Sequence, residues 1–154
     1  MRRGDFVLPH KQAFGHSPAT AEYLHSAISY YRQRLQFQRI PFTNASKNGN
    51  TTRNNSLCLL FLILGNGYEW NLKSAPVADD LQVLPMSSDP AVDMCVLASC
   101  NHSIISTGTF GWWAAFLAGG HVTYQKLFAR PYSPHRKEYG SDVADFWRPG
   151  WVPL

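Results

Sequence analysis

Between Leu57 and Leu64 the chain runs through eight consecutive apolar residues and then stops at Gly65-Asn66-Gly67. Eight residues is strand length, and the absence of polar alternation predicts a central strand covered on both faces, as in a parallel sheet. The carboxyl end of such a strand faces a ligand crevice. The same run is far short of the roughly 20 apolar residues that cross a bilayer.

The flanking segments predict helices alternating with further strands. Ser17-Pro18 reads as a helix opening, followed by Tyr23, Leu24, Ala27, Ile28, Tyr31 and Leu35 at three- and four-residue steps. Tyr68 to Ser74 reads as a short helix and Leu81 to Leu84 as a second strand. Asp89-Pro90 repeats the capped opening ahead of an apolar helix containing Met94 and Leu97. Ser103 to Ser106 is a third strand, Phe110 to Leu117 an apolar helix stopped by Gly119-Gly120, and His121 to Tyr124 a last strand. This order predicts an α/β fold with a Rossmann-like, doubly wound sheet, right-handed crossovers and a ligand at the carboxyl ends of the strands. Residues 41–56, rich in Asn, Thr and Lys, read as a surface loop; residues 129–154, rich in proline and basic residues, read as an irregular segment wrapping the surface.

With 154 residues, 45% of them hydrophobic and 16% charged, the chain is a single ordered domain spanning 1–154. The net charge of +4 suits phosphate groups without requiring a polyanion. Trp112 and Trp113 could stack on bases, but they lie in the most apolar helix and are expected as core or helix–helix contacts, so nucleic acid is not a partner. Cys58, Cys95 and Cys100 form no zinc-type spacing, which leaves no metal site and at most one disulfide. Glycosylation triplets begin at Asn44, Asn50, Asn54 and Asn101. The first three suit an exposed lumenal loop, whereas Asn101, placed before a buried strand near the ligand end, is expected to be less accessible.

Two segments carry chemistry. Arg2-Arg3-Gly4-Asp5 sets two guanidiniums beside a carboxylate able to orient one of them, and forked donors match a diphosphate. The plain reading is a basic tag. Ser106 to Gly120 opens with Thr107-Gly108-Thr109 at a helix start, where hydroxyls and backbone N–H groups meet an anion. The plain alternative there is a buried helix with a capping threonine.

Taken together, these segments resemble a known family. Met1-Arg2-Arg3-Gly4-Asp5-Phe6 is similar to the H-x-R-R-x-D-Y/F motif of fucosyltransferases, and Gly65-Asn66-Gly67-Tyr68-Glu69-Trp70 to an S-N-G-x-E-W turn. Asp93 to Gly120, with Thr109-Phe110-Gly111-Trp112-Trp113 at its centre, resembles the animal galactoside α-1,2-fucosyltransferases of glycosyltransferase family 11. The resemblance implies one half of a GT-B-like enzyme, a GDP-fucose-binding domain that moves fucose with inversion from GDP-β-L-fucose to the 2-hydroxyl of a terminal galactose. It implies no required metal or other cofactor.

By the same resemblance Arg2 contacts the diphosphate, Arg3 supports it and Asp5 fixes the loop. Thr109, Phe110 and Gly111 face the phosphates, and Asp93 belongs to the guanosine end. The motif's histidine and an amino-terminal half with a membrane anchor are expected ahead of Met1, as in a truncated chain. The full-length family member is expected in the Golgi membrane with this half in the lumen, whereas this chain shows no anchor or signal. No residue is assigned as the general base. The alternative is a catalytically silent relative acting as a binding module.

Overall fold

The computed structural model describes residues 3–36 and 59–154. Arg2, the 41–56 loop with its three glycosylation triplets, and Leu57 and Cys58 of the apolar run lie outside the described residues. Strands and helices alternate, and among the described residues the strand pairings are parallel. Strand β1 (Phe61–Ile63) pairs with β2 (Leu81–Val83) across helix α3 (Tyr68–Ser74), with Leu62 opposite Gln82. Strand β3 (Ser103–Ile105) pairs with β4 (Val122–Tyr124) across helix α5 (Thr109–Ala118), and β4 pairs in turn with β5 (Val152–Pro153). The result is an α/β architecture of two small parallel sheets.

Helix α2 (Ala21–Gln36) joins the two sheets, and its apolar stripe explains how. Tyr23, Leu24, Ala27, Ile28 and Tyr31 are all buried, and Leu24, Ala27 and Ile28 pack with Ile63 and Val83 of the first sheet. The tyrosines reach the second sheet by hydrogen bonds: the Tyr23 hydroxyl donates to the Ile105 carbonyl at 2.6 Å, and that of Tyr31 to the Ser103 and His121 carbonyls at 2.9 and 2.7 Å. Burial pushes the ionisation of both phenols well above the ordinary tyrosine range. Tyr23→Phe is expected to cost about 1–2 kcal/mol, because strand carbonyls lose their buried donor. Urea midpoints of the two proteins measure it, and equal midpoints would show that the bridge is dispensable.

Several sequence expectations need correction. The α2 helix opens at Thr20, whose hydroxyl accepts from the Tyr23 amide at 3.2 Å, and not at Ser17-Pro18. Ser17 is otherwise engaged: its amide donates to the Phe128 carbonyl and its carbonyl accepts from Gln125 Nε2, holding the chain extended there. Among the described residues of the long apolar run the strand covers Phe61–Ile63, and Leu60 beside it is 55% exposed. Residues 129–154 are not merely a surface wrap. They contain helix α6 (Pro134–Lys137), the strand β5, and Trp147, buried and stacked on Tyr124 at 4.1 Å.

Helix α4 (Pro90–Ala98) begins as the sequence predicts, with Asp89 accepting from the Ala91 amide at 2.8 Å. Trp113 departs from the expected core position and is 51% exposed, while Trp112 is half-buried and donates its Nε1–H to the Phe146 carbonyl at 2.7 Å. Asn101 is exposed and precedes β3 at its amino end, opposite the edge where the Thr107-Gly108 turn lies. Its exposure departs from the low accessibility expected of a residue placed before a buried strand. Cys95 and Cys100 are free thiols.

Candidate donor site at the strand ends

Parallel strands deliver their connections to helices at one edge of the sheet. Here the β1–α3 turn carries Asn66-Gly67 and the β3–α5 turn carries Thr107-Gly108. Onto them folds the N-terminal arm, a 3-10 turn over Gly4–Val7 followed by helix α1 (Pro9–Phe14), which opens on a proline and stops at Gly15. The arm touches both turns. The Gly4 amide donates to Asn66 Oδ1 at 2.9 Å, and the Phe6 ring lies so close over Gly108 that a Cβ there would meet it at 3.1 Å.

Within this junction the predicted residues separate. Arg3 lies over the Trp70 ring, its guanidinium carbon 4.3 Å from the centroid, and its Nε is buried without a hydrogen-bond partner. Burial pulls its pKa below the ordinary arginine value, the expected direction for a cation withdrawn from water. Asp5 does not orient that guanidinium. Its carboxylate is exposed and pairs with Lys11 Nζ at 3.7 Å, a surface contact of small energetic weight.

The start of α5 is capped by Gly108, with no side-chain hydrogen bond, which corrects the reading of a capping threonine. Its first intrahelical bond runs from the Trp112 amide to the Gly108 carbonyl, so the Thr109 and Gly111 amides have no acceptor within the helix. These groups and the positive end of the helix dipole suit an anion. Thr109 is exposed at this end and Phe110 half-buried. Gly111 lies against Ile105, where a Cβ would make ordinary contact at 3.5 Å.

Asp93 is buried on α4, and its Oδ1 accepts from the Ser87 amide at 3.0 Å, closing the loop before that helix. Among the described residues no group of three or more His, Cys, Asp or Glu could hold a metal ion, and no helix is long and apolar enough to cross a membrane.

Sequence reading missed His16, whose ring lies tilted against Phe6 at 4.7 Å and against His135 at 3.8 Å. No local signal joins these two histidines; the contact exists because the Gly15 and Phe128 carbonyls accept from Arg130 and Ser17 across the two segments. Burial, then the neighbouring His135 and Lys11, lower the pKa of His16. His102 and His121 are lowered likewise, first by burial and then by Arg34. A histidine depressed in the folded state binds fewer protons there than when unfolded, so its stability contribution is complete above about pH 6.5. That contribution is lost as pH falls through the folded values. The melting temperature is therefore expected to fall as pH drops from about 7 to 5, and a flat melting profile over that range would contradict the burial of these rings.

The sequence model of Glycosyl transferase family 11 matches residues 45–154. The chain belongs to glycosyl transferase family 11. Its relatives include galactoside alpha-(1,2)-fucosyltransferase 1 of Saimiri sciureus, 28% identical over all of this chain and 37% of the relative. Galactoside alpha-(1,2)-fucosyltransferase 2 of Sus scrofa is 30% identical, and that of Pongo pygmaeus 28%, each over all of this chain and 39% of the relative. This family 11 chain thus spans less than two-fifths of the length of these relatives. No solved structure matches it.

Proposed function

We propose that this chain forms the donor-binding part of a galactoside α-1,2-fucosyltransferase and holds GDP-β-L-fucose at the junction of the N-terminal arm with the α5 start. The observation that carries this reading is the meeting of the arginine arm and a helix N-terminus with a glycine cap and no side-chain cap bond at the carboxyl ends of parallel strands. The names of the relatives support the sugar and the linkage.

In this reading the 2-hydroxyl oxygen of a terminal galactose attacks C1 of fucose from the face opposite the diphosphate. The C1–O bond to GDP breaks as the new one forms, with inversion, and the hydroxyl proton passes to a base. Negative charge gathers on the departing GDP, where guanidinium and amide N–H groups stabilise it, and the reading calls for no metal ion. The two sheets then belong to a Rossmann-like half of a GT-B-type enzyme, acting on the lumenal side of the Golgi membrane through an anchor outside this chain.

Arg2, outside the described residues, is the arginine that the family resemblance puts on the diphosphate. Arg2→Ala is expected to weaken GDP binding by about 1–3 kcal/mol, the value of a charge-assisted hydrogen bond. Calorimetric titration reads it, and an unchanged affinity removes the assignment. A second reading, a catalytically silent binding module, is favoured by the exposed apolar side chains Val92, Trp113 and Leu117 on α4 and α5. Transfer of labelled fucose to a lactose-type acceptor by the purified chain contradicts it.

A further inference from the structure

We propose that Asn66 and Trp70 are positioning residues that dock the N-terminal arginine arm beside the donor, an assignment that rests on the donor-site reading above. Asn66 lies in the β1–α3 turn and Trp70 in the first turn of α3, and each takes one of two adjacent arm residues. Asn66 Oδ1 accepts the Gly4 amide at 2.9 Å, and the Trp70 ring lies under the Arg3 guanidinium at 4.3 Å. The turn that presents them is anchored: the Asn71 amide donates to the Gly67 carbonyl at 2.7 Å, and Trp70 packs against the first core cluster beneath it.

A purely structural role explains these contacts poorly. Asn66 is exposed, and a hydrogen bond between an exposed side chain and an exposed amide adds little to folding, because water replaces either partner. What the bond does is fix where the arm lies. Without it the segment before Phe6 keeps the exposed Asp5–Lys11 pair, the Arg3 contact with the Trp70 ring and the ring contacts of Phe6, none of which fixes the Gly4 amide. The tryptophan adds a property the asparagine lacks. A ring under the guanidinium face leaves the edge donors unspent, and Arg3 Nε is one such donor, buried and unpartnered. An arginine held by a carboxylate would have its fork occupied and its charge already neutralised. Holding it by a ring keeps both for an anionic ligand.

Two readouts on the whole chain separate this inference from the donor-site reading: hydrogen exchange at the Gly4 amide and calorimetric titration with GDP. Asn66→Ala is expected to speed Gly4 exchange and to weaken GDP binding about tenfold, the equivalent of one charge-supporting contact. Asn66→Asp keeps an accepting oxygen and restores the slow exchange. Trp70→Leu, which removes the ring, is expected to weaken GDP about tenfold, whereas Trp70→Phe, which keeps an aromatic face, stays within about twofold. Unchanged Gly4 exchange in Asn66→Ala overturns the docking. Faster exchange with undiminished GDP affinity overturns the positioning role. If the wild-type chain binds no GDP, the donor-site reading fails, and Gly4 exchange alone then decides whether the arm is docked.

Discussion

Gly120→Ala is expected to destabilise the domain by roughly 3 kcal/mol or more, at or beyond the upper end of what overpacking costs. A Cβ on Gly120 would sit 1.6 Å from the Asn101 carbonyl oxygen and 2.7 Å from its carbon, and both atoms are backbone. No rotamer change relieves such a clash. The two segments are also pinned, since the next residue pair closes the ladder with the Ser103 amide donating to the His121 carbonyl at 2.9 Å. Its neighbour provides the comparison. Gly119 ends α5 in the left-handed region at φ 70°, yet a Cβ there meets nothing within 4 Å. Gly119→Ala is left with only a backbone strain of about 1 kcal/mol. Urea unfolding of both variants tests the contrast, and similar midpoints would mean that the β3 and β4 entries are not held this closely.

Those two glycines show which parts of the fold were legible. Gly119-Gly120 reads as a helix stop because a left-handed cap is a local event, and the same holds for Asp89 as the α4 cap and for the α3 helix from Tyr68 to Ser74. Ser17, followed by Pro18, carries the stronger local opening signal, yet Thr20 caps the helix. The decision is made far away, by Phe128 and Gln125 using the Ser17 backbone.

The β5 strand and the buried Trp147 were invisible for a similar reason. Their segment has no period of its own and takes its place from Tyr124 and Phe128, which stack or pack on Trp147 at 4.1 and 5.2 Å. At the candidate site, residue types were readable and partners were not. Two arginines beside an aspartate suggest a carboxylate-oriented guanidinium, but Asp5 turns to Lys11 and the ring of Trp70 holds Arg3. A tryptophan at the start of α3 and an arginine in a distant arm offer no spacing from which that contact could be read.

The second large effect is expected at Gly108, where stability and ligand binding should fall together. Gly108 has φ 101° and ψ 155°, a region populated essentially by glycine alone, so alanine there costs about 1–3 kcal/mol of backbone strain. The added methyl would also stand 3.1 Å from the Phe6 ring. That ring can tilt, but it is braced on His16 at 4.7 Å, and moving it shifts the arm that carries Arg3. If the backbone relaxes instead, the turn rotates and re-aims the Thr109 and Gly111 amides. Both routes disturb the proposed diphosphate contacts, whichever is the easier. Gly108→Ala is thus expected to lower unfolding free energy by about 3 kcal/mol, strain and displacement together. Below its melting transition it should also bind GDP more than about tenfold more weakly. Gly119→Ala is the matched control, a positive-φ glycine at the opposite end of the same helix, and should leave GDP affinity unchanged. If Gly108→Ala loses GDP binding only in proportion to its unfolded fraction, the β3–α5 turn is a folding element and not part of the donor site.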